Sequence, residues 1–258
     1  MKLFTLLLAS AILSFNAEAQ VKKTTTKSSA AKKTVVKKPV AKKPVAKPTV
    51  KPVAMLTDEQ VRIRIITDSG TMIVKLYDST PLHRDNFVKL VQAGFYDSLM
   101  FHRVIAGFMI QGGDPQSKNA LAGSQLGNGG GDMARIPAEF RPTLRHKRGA
   151  LAAARDGNAE KASSACQFYI VHGKKFSDAE LDMLENRKRF KYTPAERELY
   201  KTEGGTATLD MDYTVFGELE SGFDVAGKIA NVSKDAMNRP VGDVRMKMEI
   251  IKLNKQVK

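Results

Sequence analysis

The stretch FHRVIAGFMIQGGDP, Phe101 to Pro115, decides the fold and most of the chemistry. It holds two short β-like runs, Met100 to Ile105 and Phe108 to Gln111, separated by Ala106 and Gly107. Strand alternation predicts Phe101, Arg103 and Ile105 on one face of the first run, with Met109 and Gln111 sharing a face of the second. An arginine among apolar neighbours is costly to desolvate unless its donors are satisfied. Arg103 therefore calls for a partner such as Gln111, or for a ligand; the alternative is a stem packed on the domain with its head in water. His102 points away from Arg103 and reads as a packed or hydrogen-bonded structural residue.

The same grammar extends on both sides. Val61, Ile63 and Ile65 alternate with Arg62, Arg64 and Ile66; Asp68, Ser69 and Gly70 make a turn, and Thr71 to Leu76 returns, so a hairpin opens the domain. Thr80 and Pro81 can cap and start a helix carrying Phe87, Leu90 and Val91 on one face, and Gly94 can end it. A second helix is predicted from Phe223 to Val232. Further short runs lie at Ala150 to Ala154, Gln167 to Val171 and Tyr213 to Glu218, which makes a mainly β domain, a barrel or sandwich with helical covers. One segment departs from this plan. Ser177 to Tyr200 is highly charged and carries two capping-box patterns, Ser177 with Glu180 and Thr193 with Glu196, so a helical insertion is predicted at about 174–208. It reads as a surface excursion whose removal leaves the chemistry intact, or else as a flap that grips substrate or partner.

Charge divides the chain of 258 residues unevenly. The first 52 residues hold 12 lysines against the single acid Glu18, so they carry +11 of the formal +15 and leave +4 for the remainder. Lys2, the apolar run Leu3 to Phe15 and the small residues Ala17 and Ala19 follow the order of a secretory signal over 1–19, cleaved after Ala19; the alternative is an uncleaved anchor, for which the apolar run is short. Residues 20–56 use almost only Lys, Ala, Val, Thr, Ser and Pro, with the near-repeat KKPVAKKPVAKP at Lys37 to Pro48. Such a segment buries too little to offset ordering entropy and is expected to be an extended tether. It reads as a solvated spacer, or else as a segment attracted to an anionic envelope polymer or membrane surface. Nucleic acid is not an expected partner, because the tether has no aromatic residue for stacking. No apolar run reaches the ~18 residues of a spanning helix, so no integral membrane span is expected. A single cysteine, Cys166, excludes an intramolecular disulfide. The glycine run GNGGGD from Gly127 lacks the Lys and Ser/Thr of a phosphate loop and reads as a flexible turn beside a groove.

Phe101 to Pro115 resembles the signature of the cyclophilin-type peptidyl-prolyl isomerases: FHR, a spacer, FM, one residue, then QGGD. Other matching pieces follow in family order: DNFVKLVQAGFYD from Asp85, GNGGGD from Gly127, AEF from Ala138, RGALAAAR from Arg148, CQFYIV from Cys166 and LDMDYTVFGELESG from Leu209. The resemblance runs from about Val61 to Leu253. It implies an eight-stranded antiparallel barrel with a helix at each end, here a domain at 57–258 that acts as a monomer on proline-containing unfolded or extended polypeptides. It also implies no cofactor and no metal. Arg103 matches the family's catalytic arginine, and Gln111 and Gln167 match two glutamines that orient the arginine and the substrate carbonyls. Phe108, Met109, Tyr169 and Leu209 match the slot for the proline ring, and Ala154 the small residue near a side pocket.

Independent support comes from alternation, which puts Gln167, Tyr169 and Val171 on one face and Cys166, Phe168 and Ile170 on the other. Phe108 breaks alternation with Met109 and requires a bend after Gly107. Three positions depart from the common pattern. Tyr213 stands where many members carry histidine, with a hydroxyl still able to donate to a substrate carbonyl. Thr208 replaces the tryptophan with which many eukaryotic members grip cyclic peptide inhibitors. Arg155 stands in place of an asparagine. The implied function is prolyl isomerisation in the folding of secreted or envelope proteins, in the periplasm or outside the cell. The rival is a non-catalytic module that binds proline segments as a chaperone.

Overall fold

The computed structural model describes residues 60–251; the predicted signal and the whole tether lie outside the described residues. Eight strands form one antiparallel sheet: β1 (Arg62–Thr67), β2 (Gly70–Leu76), β3 (Phe101–Ile105), β4 (Met109–Gly112), β5 (Ala150–Ala153), β6 (Phe168–Val171), β7 (Val215–Ser221) and β8 (Met246–Ile251). Their spatial order is β3-β4-β6-β5-β7-β2-β1-β8. The two ends of that order meet: Phe101 N–H donates to Val244 O at 2.9 Å and Met246 N–H to Leu99 O at 2.8 Å, which curls the sheet toward closure. No pairing involves a long parallel crossover, so the mainly β, barrel-like expectation holds.

Strand alternation divides the residues into two faces. Ile63, Ile65, Val74, Leu76, Ile110, Leu151, Phe168 and Ile170 turn inward and are at most 1 % exposed. Each such side chain contributes roughly 1.5–3 kcal/mol by leaving water. Phe87, Leu90 and Val91 of α1 (Pro81–Gln92), with Val225 and Ile229 of α4 (Phe223–Ala230), complete this interior. On the opposite face Met109, Ala150, Ala152, Tyr169, Val171 and Val215 form a separate apolar patch. That second face carries the candidate site.

Three local details differ from the sequence reading. Phe101 is interior and Arg103 is not, because the register between β3 and β4 shifts between Phe101 and Arg103, a bulge that inserts His102 and turns Arg103 to the outer face. Thr80 does not cap α1 with its side chain; Glu139, 57 residues beyond Leu82, accepts the first-turn N–H groups of Leu82 and His83 at 3.2 and 3.0 Å. The carboxylate supplies what a local cap would, and its charge suits the positive end of the helix. Finally, β8 is absent from the runs read above, although its residues alternate as a half-buried strand does: Met246 and Met248 reach the interior, and Lys247 between them is exposed.

Between β6 and β7 stand α2 (Asp178–Lys188) and α3 (Pro194–Thr202), each opened by a complete capping box, Ser177 with Glu180 and Thr193 with Glu196. Phe176, Leu181, Leu184, Tyr192, Tyr200 and Ala207 give this segment its own small core. Among the described residues no helix is long and apolar enough to cross a membrane.

Candidate functional site

Register explains why the site residues meet. Arg103 of β3 lies opposite Gln111 of β4, Gln111 opposite Tyr169 of β6, and Tyr169 opposite Ala152 of β5. Residues directly opposite one another point to the same face, so one transverse row runs from a cation through an amide to an aromatic floor. Met109 stands beside it, paired with Val171.

Side-chain hydrogen bonds continue along this row. Arg103 Nη1 donates to Gln111 Oε1 at 3.2 Å, and Gln111 Nε2 donates to Gln167 Oε1 at 3.1 Å. Gln167 Nε2 then donates to the carbonyls of Gly127 and Gly129, both at 2.9 Å. The half-buried guanidinium carbon sits 5.7 Å from the Phe108 ring centroid, a cation–π contact worth ~0.5–1 kcal/mol. Among the described residues no carboxylate lies within ion-pair distance of Arg103. Its charge is held in place yet not neutralised.

The turn before β4 brings Phe108 to the same patch. Gly107 takes φ +76°, and Phe108 N–H closes the turn onto Ile105 O at 3.0 Å. A side chain rarely tolerates that φ, which is why glycine occupies the bend. Gly107 N–H also donates to His172 Nδ1 at 2.9 Å. Phe108, Leu209 and Tyr213 pack on the patch of Met109, Ala154 and Tyr169, so every apolar residue expected at the site falls in one cluster. Tyr213 meets Tyr169 edge to face, centroids 6.0 Å apart at 79°. Burial pushes the Tyr169 phenol well above its ordinary range, so it stays protonated.

A cavity of about 370 Å³ adjoins this patch; Gln111, Gln167 and Ala154 of the site line it, and so do Arg135 and Asp156. Neither of those two was anticipated, because they lie on loops without periodicity. The glycine run forms another wall. It is pinned rather than loose: a Cβ on Gly129 would fall 2.0 Å from Asp114 Oδ1, and one on Gly130 2.3 Å from Cys166 Sγ. Arg155 does not reach across the groove. It donates to the carbonyls of Asp212 and Asp156, each at 2.8 Å, and its guanidinium carbon lies 4.7 Å from the Tyr213 ring centroid, bracing the loop that carries Leu209 and Tyr213. Thr208 is exposed. His102 is 3 % exposed, and burial draws its pKa down to about 4, so it is a neutral packed residue at pH 7.

Similar proteins bear on what such an arrangement is. A chain of Staphylococcus haemolyticus named for peptidyl-prolyl cis-trans isomerase activity is 33% identical over 190 residues, covering 73% of this chain and 90% of its own length. A solved cyclophilin type peptidyl-prolyl cis-trans isomerase of Cryptosporidium parvum superposes with a TM-score of 0.55 at 26% identity, over 76% of this chain and all of that one. A second structure of that protein, determined in the presence of the dipeptide Ala-Pro, gives 0.53 at 25% identity over 74% and 99%. Residues 62–250 match the family described as cyclophilin type peptidyl-prolyl cis-trans isomerase/CLD. With its curled eight-stranded sheet and the row of Arg103, Gln111 and Tyr169 laid across one face, this chain belongs to the cyclophilin-type peptidyl-prolyl cis-trans isomerases.

Proposed function

We infer that Arg103 performs the isomerisation by stabilising the twisted Xaa-Pro amide, and that the enzyme acts as a monomer on exported proteins as they fold. Rotation about the bond faces ~18–20 kcal/mol because the prolyl nitrogen lone pair is conjugated with the carbonyl. As the bond twists, the nitrogen becomes pyramidal and its lone pair can accept a hydrogen bond. A fixed cation donating there binds the transition state better than either planar isomer. Gln111 orients the guanidinium. Phe108, Met109, Tyr169 and Leu209 hold the ring while the acyl side turns, the Tyr213 hydroxyl donates to a substrate carbonyl, Gln167 orients the peptide, and Ala154 leaves the neighbouring cavity open to an adjacent side chain.

The observation that carries this reading is a guanidinium anchored by Gln111 beside Phe108, with no carboxylate among the described residues to neutralise it. Arg103→Ala should cut turnover of a proline tetrapeptide by about 10²–10³-fold, the scale of losing one donor to a developing charge. Because Arg103 is half-buried and makes no ion pair among the described residues, the variant's thermal midpoint should stay close to wild type. Unchanged turnover, followed by NMR exchange on an Ala-Pro peptide, refutes the assignment.

The cellular part of the proposal rests on the signal-like residues 1–19 and the basic residues 20–56. The mature chain should begin at Gln20, sediment with the cell envelope at low salt, and be released by a high-salt wash as exposed charges are screened. A chain retaining Met1 in the cytoplasmic fraction refutes export. Envelope association insensitive to salt refutes the polyanion contact.

A further inference from the structure

The helical segment between β6 and β7 ends in hydrogen bonds to the loop that walls the slot. Tyr192 and Tyr200, from that segment, both donate their hydroxyls to Asp210 Oδ2, at 2.8 and 2.7 Å. Asp210 Oδ1 accepts from His146 N–H and His146 Nδ1, each at 2.8 Å. A carboxylate only accepts, so Nδ1 carries a proton, and Nε2 on the other side of the ring is hydrogen-bonded to the Tyr169 hydroxyl at 3.1 Å. His146 and Tyr169 also stack, centroids 6.1 Å apart at 16°. Tyr192, Tyr200, Asp210 and His146 are all at most 5 % exposed, so these bonds are made out of competition with water. Lys188 of α2 adds a contact to Asp212 Oδ2 at 2.8 Å.

The loop needs external holding. Between Leu209 and Tyr213 the chain passes through Met211 at φ +62°, a conformation unfavourable for a side chain of that size. Two phenols, a lysine and a histidine from distant positions keep it there, with Leu209 and Tyr213 on either side.

The geometry points to the α2–α3 segment as a positioning device for substrate binding: through Tyr192, Tyr200 and Asp210 it fixes the Leu209–Tyr213 wall, and through His146 the orientation of Tyr169 in the floor. This rests on the reading of Phe108, Tyr169 and Leu209 as the prolyl slot and goes beyond it by assigning a role to residues that touch no substrate. Removing hydroxyls while keeping rings should loosen binding and leave the Arg103 chemistry alone.

The test is Tyr192→Phe/Tyr200→Phe in the full chain, with Lys188→Met as a second variant and Phe108→Ala as a control on the slot. The double variant should raise KM for a proline tetrapeptide about three- to tenfold, the range of one or two lost hydrogen bonds, with kcat within twofold of wild type. Lys188→Met should raise KM about twofold. A merely structural role would lower the thermal midpoint with KM unchanged. Should the double variant not fold, Lys188→Met decides. If Phe108→Ala raises KM while the folded phenol and lysine variants match wild type, the positioning role is refuted and the slot stands. If Phe108→Ala also leaves KM unchanged, the slot reading and this inference fall together.

Discussion

Gly130→Ala combined with Cys166→Ala would turn the seating of the glycine run into a measured coupling. A Cβ at position 130 would lie 2.3 Å from Cys166 Sγ, against the ~3.5–4 Å of an ordinary contact. The φ of +82° there adds a conformational cost of roughly 1–2 kcal/mol for a non-glycine residue. Overpacking contributes about 1–3 kcal/mol more, so the single variant should lose about 2–5 kcal/mol. Cys166→Ala alone removes one buried heavy atom and should cost about 1 kcal/mol. With the sulfur gone, the nearest remaining atoms are Pro115 Cδ at 3.7 Å and Met133 Sδ at 3.8 Å, which need not move. The double variant should therefore be more stable than the sum of the singles predicts by about 1–3 kcal/mol.

Activity should follow stability, because the carbonyls of Gly127 and Gly129 hold the Gln167 amide that in turn orients Gln111. Displacing the run should lower turnover several-fold in Gly130→Ala, and the double variant should recover it. Urea unfolding at pH 7.5 and a prolyl isomerisation assay on all four proteins complete the cycle. Additivity within ~0.5 kcal/mol would show that the glycine run does not sit on Cys166, and the reasoning would fail.

Two further outcomes follow from buried charge. His102 has its pKa lowered to about 4, by burial first and against the pull of Asp114, so the folded protein prefers the neutral ring. The stability this confers is complete above the unfolded pKa of ~6.5 and is lost as pH falls toward 4, about 2 kcal/mol between pH 7.5 and pH 5. His102→Gln should flatten the dependence of the urea midpoint on pH by that amount; equal slopes in both proteins would contradict it. Glu139→Ala strands the first-turn N–H groups of α1 and leaves His83 Nδ1 without its partner at 2.7 Å. A loss of about 2–4 kcal/mol in urea unfolding is expected, and a loss under 1 kcal/mol would mean that another group caps the helix.

The parts of the fold visible in the sequence were those governed by neighbours along the chain. The period of Phe87, Leu90 and Val91 announced α1, the alternation of Gln167 to Val171 sorted interior from site, and the capping boxes of the inserted helices depend on residues three apart. Alternation failed at Phe101, because a bulge is a property of two strands and β4 must be in place before His102 becomes the extra residue. The candidate site divides the same way. Arg103, Gln111, Phe108 and Met109 lie within one short stretch whose pattern carried the family resemblance. Glu139, seen only as part of the AEF match, and His146 behind Tyr169 gave no sign of their roles, since their partners lie 56 and 64 residues away. The glycine run was visible as glycine, but its reason, the approach of Asp114 and Cys166 from beneath, required the folded chain.

The interior of the curled sheet is filled by side chains, and the residues of the site occupy its opposite face. On the proposed reading of this site, a client polypeptide therefore has nothing to thread. It need only be laid across the wall, with both flanking segments free to continue in either direction. On that reading, prolines in the middle of a long chain should be as accessible as those near an end.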